Sequence, residues 1–299
     1  MIIPEFLSSG DKVGVVATAK KVNRGNTLQG IGILESWGLE VKIGKYVFHS
    51  FYQFAGTDSQ RMEDLQLMID DPEIKAIFMV RGGYGSTRII DQIKFDSLKT
   101  NPKWICGFSD ITAFHLHLYK LGIASMHSPM PSFFYALNQK SLDGLKNLIF
   151  GESFIYENKK HKLNRQGEAK GKLTGGNLSI ICHTIGTKSE IISRGQILFI
   201  EDVGEQLYHL DRMMVQLKRA GFLKELGGLI VGQFSDMKDN EDVFGYDANE
   251  IIYSHIKEYD YPIAFDFPIG HTSKNYTIPV GMEAKLIVTH KESALELCE

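Results

Sequence analysis

The sequence has few cysteines, no excess of positive charge and no long apolar run, and each shortage excludes a class of protein. Its three cysteines, Cys106, Cys182 and Cys298, are far apart, which predicts free thiols in a reducing cytoplasm rather than a disulfide framework. A formal net charge of -3 argues against a nucleic-acid partner. No run approaches the roughly 20 apolar residues of a membrane span, and the N-terminus lacks the pattern of a secretory signal. We therefore expect a cytoplasmic protein that does not associate with membranes.

The composition otherwise fits a folded protein large enough for two domains. The 299 residues are 43% hydrophobic and 23% charged, which is close to the average for globular proteins. The sequence contains no closely spaced cysteine pair and no His-Glu-x-x-His run, so we expect no bound metal.

Short β-branched runs alternate with helix-period segments in the first half, a pattern typical of a parallel sheet covered by helices. We predict a Rossmann-like N-terminal domain over 1–157, a polar, lysine-rich linker over 158–172 and a smaller mixed α/β C-terminal domain over 173–299. A long core-facing helix is predicted over 206–223. The predicted strands are 13–17, 40–43, 76–80, 104–108 and 124–127 in the first domain, and 197–200, 229–232, 263–267 and 284–288 in the second.

A serine stands where the apolar run 104–108 gives way to a helical pattern over 111–121. In hydrolases, a serine at such a strand-to-helix turn is exposed at the carboxyl edge of the sheet, where helix amides face the developing oxyanion. Ser109 is therefore a candidate nucleophile. Ser109 and Asp110 are also ordinary helix N-cap residues, and taken alone the position favours that interpretation. The second glycine of a Gly-x-Ser-x-Gly elbow is absent, because position 111 is Ile.

A glycine-rich turn follows the predicted strand 76–80, in the run Arg81-Gly82-Gly83-Tyr84-Gly85-Ser86. Glycines at such a turn let backbone amides approach a bound anion closely. A dinucleotide site would need a third glycine where Arg88 stands, so the spacing disfavours it. Beside a nucleophile, the same amides form an oxyanion hole, whereas a turn with no ligand accounts for the pattern equally well.

Two further candidates stand at predicted strand ends. Glu201 and Asp202 emerge from the apolar strand 197–200, and a carboxylate there needs a charged or hydrogen-bonded partner. Acids at this point also complement the dipole of the helix that follows. His271 lies in a glycine-flanked loop after the strand 263–267, which is the best setting for catalysis among the ten histidines.

The remaining histidines offer less. His115 and His117 are two residues apart on a predicted helix, so they face different directions, which weakens a paired or metal-binding role. Together, however, a serine on a tight turn, an imidazole base and a carboxylate that orients it are the three parts of activated acyl transfer.

These motifs occur in an order that resembles the serine LD-carboxypeptidase family, which also contains the microcin-immunity peptidases. The resemblance covers nearly the whole chain. It depends on the segments Arg81-Gly82-Gly83-Tyr84-Gly85, Gly107-Phe108-Ser109-Asp110-Ile111-Thr112, Gly175-Gly176-Asn177-Leu178, Ile200-Glu201-Asp202 and Gly270-His271.

The resemblance implies a Ser-His-Glu triad, with Ser109 as nucleophile, His271 as general base and Glu201 orienting the imidazole. The implied oxyanion hole consists of the backbone amide of Asp110 and that of a glycine in the Gly82-Gly83 turn, for which Gly83 is the candidate; the resemblance does not fix which of the two glycines it is. The resemblance implies neither a metal nor an organic cofactor. It does imply a cytoplasmic homodimer. In such a family the serine lies on the N-terminal domain and both partners lie on the C-terminal one.

The family's best-known activity is removal of the terminal D-alanine of a murein tetrapeptide by hydrolysis of an L-D peptide bond. Such a substrate ends in a carboxylate, for which Arg81 is the candidate cation, with Gly82 and Tyr84 beside it. Two alternatives stay open. One is an immunity-type peptidase that cleaves aminoacyl-nucleotide conjugates, although the short connection 142–175 leaves no obvious room for that branch's insertion. The other is a non-catalytic module that binds an anion or nucleotide at the glycine turn.

Overall fold

The computed structural model describes residues 1–298, which divide into two compact units. The first unit comprises Met1–Phe154 together with Tyr276–Pro279, and the second comprises Ile155–Asn275 together with the chain from Val280 onward. In chain order, the strands are β1 (Lys12–Val16), β2 (Glu40–Ile43), β3 (Ile74–Met79), β4 (Trp104–Gly107), β5 (Ser125–His127), β6 (Tyr156–Lys159), β7 (Gly167–Asn177), β8 (Ile197–Val203), β9 (Gly228–Ser235), β10 (Ile263–Ala264), β11 (Ile278–Val280), β12 (Glu283–Val288) and β13 (Glu292–Leu297).

The α-helices are α1 (Arg24–Ser36), α2 (Asp58–Asp70), α3 (Ser86–Ile89), α4 (Ser97–Thr100), α5 (Thr112–Lys120), α6 (Gln139–Ile149), α7 (Leu178–Thr184), α8 (Leu207–Arg219) and α9 (Ala248–Ile256). None of the helices within residues 1–298 has both the length and the apolar character that a membrane span requires.

The first unit is built on a six-stranded sheet in the order β11-β5-β4-β3-β1-β2. Its strands β2, β1, β3, β4 and β5 are all parallel to their neighbours, which confirms the Rossmann-like prediction. The strand order reverses between β1 and β3. In open parallel sheets, ligands bind outside the carboxyl ends of the strands at such a reversal. The loops that follow β1, β3 and β4 are therefore the part of this unit suited to a site.

Helix α2 shows how the sequence encodes one of the covering helices. Thr57 accepts a hydrogen bond from the Gln60 amide and Gln60 reaches back to the Thr57 amide, which is a complete capping box. The helix then buries Leu65, Met68 and Ile69 against the sheet. Gly14 on β1 faces Met68, whose sulfur would lie 2.9 Å from a Cβ at that position, so any larger residue there would displace the Met68 side chain.

The second unit contains a seven-stranded mixed sheet in the order β10-β9-β8-β7-β12-β13-β6. Strands β7 to β10 are parallel, whereas β12, β13 and β6 extend the sheet beyond β7 with each strand antiparallel to its neighbour. This confirms the mixed α/β prediction. Gly175 on β7 is indispensable to the packing, because an added Cβ would lie 1.9 Å from the carbonyl oxygen of Phe199 on β8.

The predicted linker over 158–172 is wrong in its local structure. The segment contributes the end of β6 and the first half of β7. It is polar because these strand positions are largely exposed to solvent, not because they lack structure. Arg165 within it donates to the carbonyl of Lys257 at 2.8 Å and to that of Tyr259. The segment is therefore an anchored part of the second unit.

Candidate active site

The carboxyl end of β4 presents Ser109 on a sharp turn. Ser109 has φ 64°, the left-handed conformation that non-glycine residues seldom adopt, and it begins a single 3₁₀ turn, Ser109–Ile111, that leads into α5. The N-cap position of α5 falls on Ile111, so the N-cap interpretation of Ser109 does not apply. Strand, strained serine and helix in succession are the arrangement that displays a nucleophilic hydroxyl at a sheet edge.

The glycine turn lies directly against this elbow. A Cβ at Gly82 would lie 3.1 Å from the Ser109 Cβ and 3.3 Å from the Asp110 amide nitrogen. Gly83, which the sequence singled out, has φ 110°, and a Cβ there would lie 2.6 Å from Lys20 Cδ. The structure therefore places Ser109, the Asp110 amide and the turn in one small region of the first unit.

Side chains behind the elbow fix its position. Asp110 is buried, and its Oδ2 accepts a hydrogen bond of 2.8 Å from the Ser86 amide at the start of α3. Arg61 of α2 is also buried, and its guanidinium donates to the carbonyls of Gly85, at 3.0 Å, and Thr18. These bonds tie the loops after β1, β3 and β4 together, and sequence inspection missed Arg61 because it appears as one charged residue of an amphipathic helix.

The predicted substrate residues occupy the same turn. Arg81 is half-buried and donates from Nη1 to the Lys21 carbonyl at 2.9 Å. Tyr84 is exposed, with its ring 5.9 Å from that of Phe54. Both residues lie at the carboxyl edge of the sheet, where a ligand of this unit would bind.

In the second unit the structure brings Glu201 and His271 together. Glu201 is fully buried near the end of β8, and its Oε2 lies 2.7 Å from His271 Nδ1. Since a carboxylate only accepts hydrogen bonds, Nδ1 carries the proton and Nε2 is the basic nitrogen. Gly270 permits the contact, because a Cβ there would lie 3.1 Å from Glu201 Oε2. The pair is therefore oriented as a general base with its carboxylate.

The electrostatics of this pair favour the protonated imidazole. Burial by itself lowers the pKa of His271, but the adjacent Glu201 carboxylate, through its charge and its hydrogen bond, and the charge of Asp202 outweigh burial. The pKa of His271 is consequently raised above its ordinary value of 6.5. An imidazolium formed during a reaction is stabilised at this position.

Asp202 supports the strand end that carries Glu201. Its carboxylate accepts hydrogen bonds from Asn177 Nδ2 at 2.8 Å and from the Ser179 amide at 2.9 Å, and so joins β8 to the start of α7. Burial raises the pKa of Asp202 to about 7, with the charge of Glu201 adding to the effect. The Gly175-Gly176-Asn177 motif thus contributes a packing glycine and a side chain that positions the acidic pair.

Among the residues that the structure describes, no three His, Cys, Asp or Glu side chains are grouped to hold a metal ion.

Comparison with known proteins identifies the family. The LD-carboxypeptidase N-terminal domain family matches residues 13–128, and the LD-carboxypeptidase C-terminal domain family matches residues 170–286. The chain belongs to the LD-carboxypeptidase family. It is accordingly a hydrolase of the serine-peptidase type, as the order of its motifs predicted, and not a non-catalytic binding module.

Similar proteins agree with this placement over nearly the full length. The chain is 33% identical to a probable murein peptide carboxypeptidase of Bacillus subtilis, over 98% of this chain and 94% of that protein. The crystal structure of a muramoyltetrapeptide carboxypeptidase from Oxalobacter formigenes has a TM-score of 0.88 at 29% identity, covering 96% of this chain and 99% of that one.

The microcin branch of the resemblance is supported at the level of the fold. A microcin C7 self-immunity protein, solved with aspartyl sulfamoyl adenosine, has a TM-score of 0.87 at 18% identity and covers 99% of this chain and 98% of that one. At this identity, the likeness shows a shared fold alone.

Proposed function

We propose that this LD-carboxypeptidase removes the terminal D-alanine of murein tetrapeptides, with Ser109, His271 and Glu201 as its catalytic triad. The observation that carries the proposal is the left-handed Ser109 elbow against the glycine turn, in a chain whose second unit holds buried Glu201 hydrogen-bonded to His271. The similarity to proteins named as murein peptide and muramoyltetrapeptide carboxypeptidases supplies the substrate class.

The chemistry follows from the roles of the three groups. His271 Nε2 takes the proton of the Ser109 hydroxyl as the oxygen attacks the carbonyl carbon of the L-D peptide bond. The imidazolium then donates that proton to the departing D-alanine nitrogen, and a water molecule, activated in the same way, hydrolyses the acyl-enzyme. Glu201 holds Nδ1–H throughout and stabilises the imidazolium.

The proposed oxyanion hole consists of the amides of Asp110 and Gly83. The Asp110 amide lies next to the nucleophile and, by the Gly82 contact, beside the turn. Donors held in place before the reaction stabilise the tetrahedral oxyanion without reorganisation, and removal of one such donor costs about 100-fold or more in kcat. Arg81 is the proposed cation for the substrate's terminal carboxylate, with Gly82 and Tyr84 beside it.

The test is release of D-alanine from murein tetrapeptide in the presence of a chelator. We expect the wild-type chain to release D-alanine and Ser109→Ala to lose at least about 1,000-fold in kcat, since the nucleophile is gone. Ser36→Ala is the matched control, because Ser36 is an exposed serine of the same unit whose hydroxyl donates to the carbonyl of Ile33.

Full turnover by Ser109→Ala would refute the nucleophile assignment. If the wild-type chain released no D-alanine from murein tetrapeptide but cleaved aspartyl sulfamoyl adenosine, the immunity-type activity would replace the proposed substrate assignment.

The cytoplasmic location and the homodimer implied by the family resemblance belong to the same proposal. Light scattering coupled to size exclusion should give twice the 33.7 kDa chain mass. A mass of one chain would contradict the dimer without affecting the proposed reaction.

A further inference from the structure

A buried histidine on the helix behind the nucleophile contacts the backbone of the elbow. His115, on α5, is completely buried, and its Nε2 lies 2.7 Å from the carbonyl oxygen of Gly107, two residues before Ser109. Its Nδ1 lies 2.8 Å from Ser125 Oγ on β5. Helix α5, which follows the elbow, thus contacts the Gly107 peptide that precedes it.

The hydrogen-bond partners of the two His115 ring nitrogens determine which nitrogen carries the proton. A carbonyl oxygen only accepts, so Nε2–H donates to Gly107, and Nδ1 must then accept from the Ser125 hydroxyl. Burial lowers the pKa of His115 to about 4, so the ring is neutral at physiological pH and keeps this single tautomer. The ring is a fixed donor and takes no part in proton transfer.

The Gly107 carbonyl lies at the point where β4 leads into the elbow. It belongs to the last residue of β4 and also accepts the Ser128 amide at 2.9 Å, so two donors hold one oxygen. The peptide that follows leads into extended Phe108 and left-handed Ser109. A left-handed non-glycine residue is strained and persists only where its surroundings determine it.

We infer that His115 is a positioning residue for the nucleophile: its Nε2–H fixes the Gly107 peptide plane and thereby holds Ser109 in the conformation that displays its hydroxyl. The inference rests on Ser109 being the nucleophile, as proposed above. It assigns to His115 a role in the rate of the chemical step rather than in substrate affinity, because the ring contacts the backbone behind the elbow.

The test uses variants that separate positioning from stability. His115→Phe keeps a planar ring but removes the donor, and it also leaves the Ser125 hydroxyl without its histidine partner. The double variant His115→Phe/Ser125→Ala removes both partners, which is far less destabilising than leaving one polar group unpaired, while Gly107 retains the Ser128 amide. His115→Gln places an amide donor near the Nε2 position.

We expect kcat for D-alanine release to fall by about 10- to 100-fold in the double variant with KM within about twofold, because small misplacements of a reacting group cost rates of this size. His115→Gln should recover part of the loss. His117→Phe, on the same helix with its ring 5.0 Å from that of Phe95, is the matched control and should keep wild-type kcat.

Crystal structures of the variants give a second readout that needs no substrate. In the double variant, Ser109 should leave the left-handed region or the Gly107 carbonyl should rotate, and His115→Gln should retain the native turn. A folded double variant with wild-type kcat and an unchanged elbow would overturn the inference. Inactivity of the wild-type chain on murein tetrapeptide would instead refute the proposed function, and the variant structures would still decide the role of His115.

Discussion

His271 sets the pH at which the proposed reaction fails in acid. Only the neutral imidazole accepts the Ser109 proton, so kcat/KM must fall as the pH drops through the pKa of His271 in the free enzyme. Burial lowers that pKa, but Glu201 and Asp202 raise it by more than burial lowers it, so the acidic limb should lie above pH 6.5.

The variant Glu201→Gln removes the charge that raises the pKa, and its acidic limb should move to lower pH while the maximal rate falls. The pH–rate profile measures both effects. Glu205→Gln is the control, because Glu205 bonds His209 at 2.5 Å, and its profile should match the wild type. An acidic limb that stays in place in Glu201→Gln would show that another group controls it.

At the scale of single residues, the sequence predicted identities better than conformations. Ser109, Glu201 and His271 could be selected because each follows an apolar run that reads as a strand. The left-handed backbone of Ser109 could not be predicted, since the local sequence lacks the second glycine of the elbow motif. His115 was set aside on its spacing from His117, because the Gly107 carbonyl that gives it a role becomes its neighbour only in the fold.

At the scale of elements, the glycine turn after β3 and the elbow after β4 act as one structure. Gly82 packs on Ser109 and the Asp110 amide, so its missing side chain leaves space where the proposed oxyanion would form. Gly82 has no left-handed backbone, whereas Gly83 does, at φ 110°.

Gly82→Ala should therefore lose about 100-fold or more in kcat and also some stability, because the methyl group, 3.1 Å from the Ser109 Cβ and 3.3 Å from the Asp110 amide nitrogen, obstructs the hole and crowds the elbow. D-Alanine release and urea unfolding measure the two effects. Gly10→Ala is the matched control: at a surface turn with no heavy atom within 4 Å of the new Cβ, it should lose a modest amount of stability from its φ of 93° and keep normal kcat. Normal kcat in Gly82→Ala would place the oxyanion elsewhere.

Elements with an apolar face were predictable, and elements without one were not. Strand β8 and helix α8 were predicted because buried residues recur along them. The end of strand β6 and the first half of β7 were taken for a linker, since their outward residues are Glu, Lys and Asn, and their pairing partners β13 and β12 follow more than 100 residues later. Hydrophobic periodicity carries no information about such long-range pairing.

At the scale of the whole molecule, the chain does not divide at a single point. The first unit takes back Tyr276–Pro279 from the C-terminal half, and the strand that begins there, β11, pairs beside β5. Ile278 is completely buried, and the Tyr276 ring packs 5.1 Å from Phe154. A change in composition along the chain marks one boundary between two continuous domains, so the boundary predicted at residue 157 omits this returning segment.

A fragment of residues 1–157 should therefore be less stable than one that also carries residues 276–280 on a flexible linker. Burial of Ile278 alone is worth about 2 kcal/mol, and without β11 the strand β5 becomes an unpaired edge. The urea midpoints of the two fragments, followed by circular dichroism, measure the difference. The same extended fragment with Ile278→Asp is the matched control and should lose most of the gain. Equal midpoints for all three fragments would mean that the first unit closes its sheet without the returning strand.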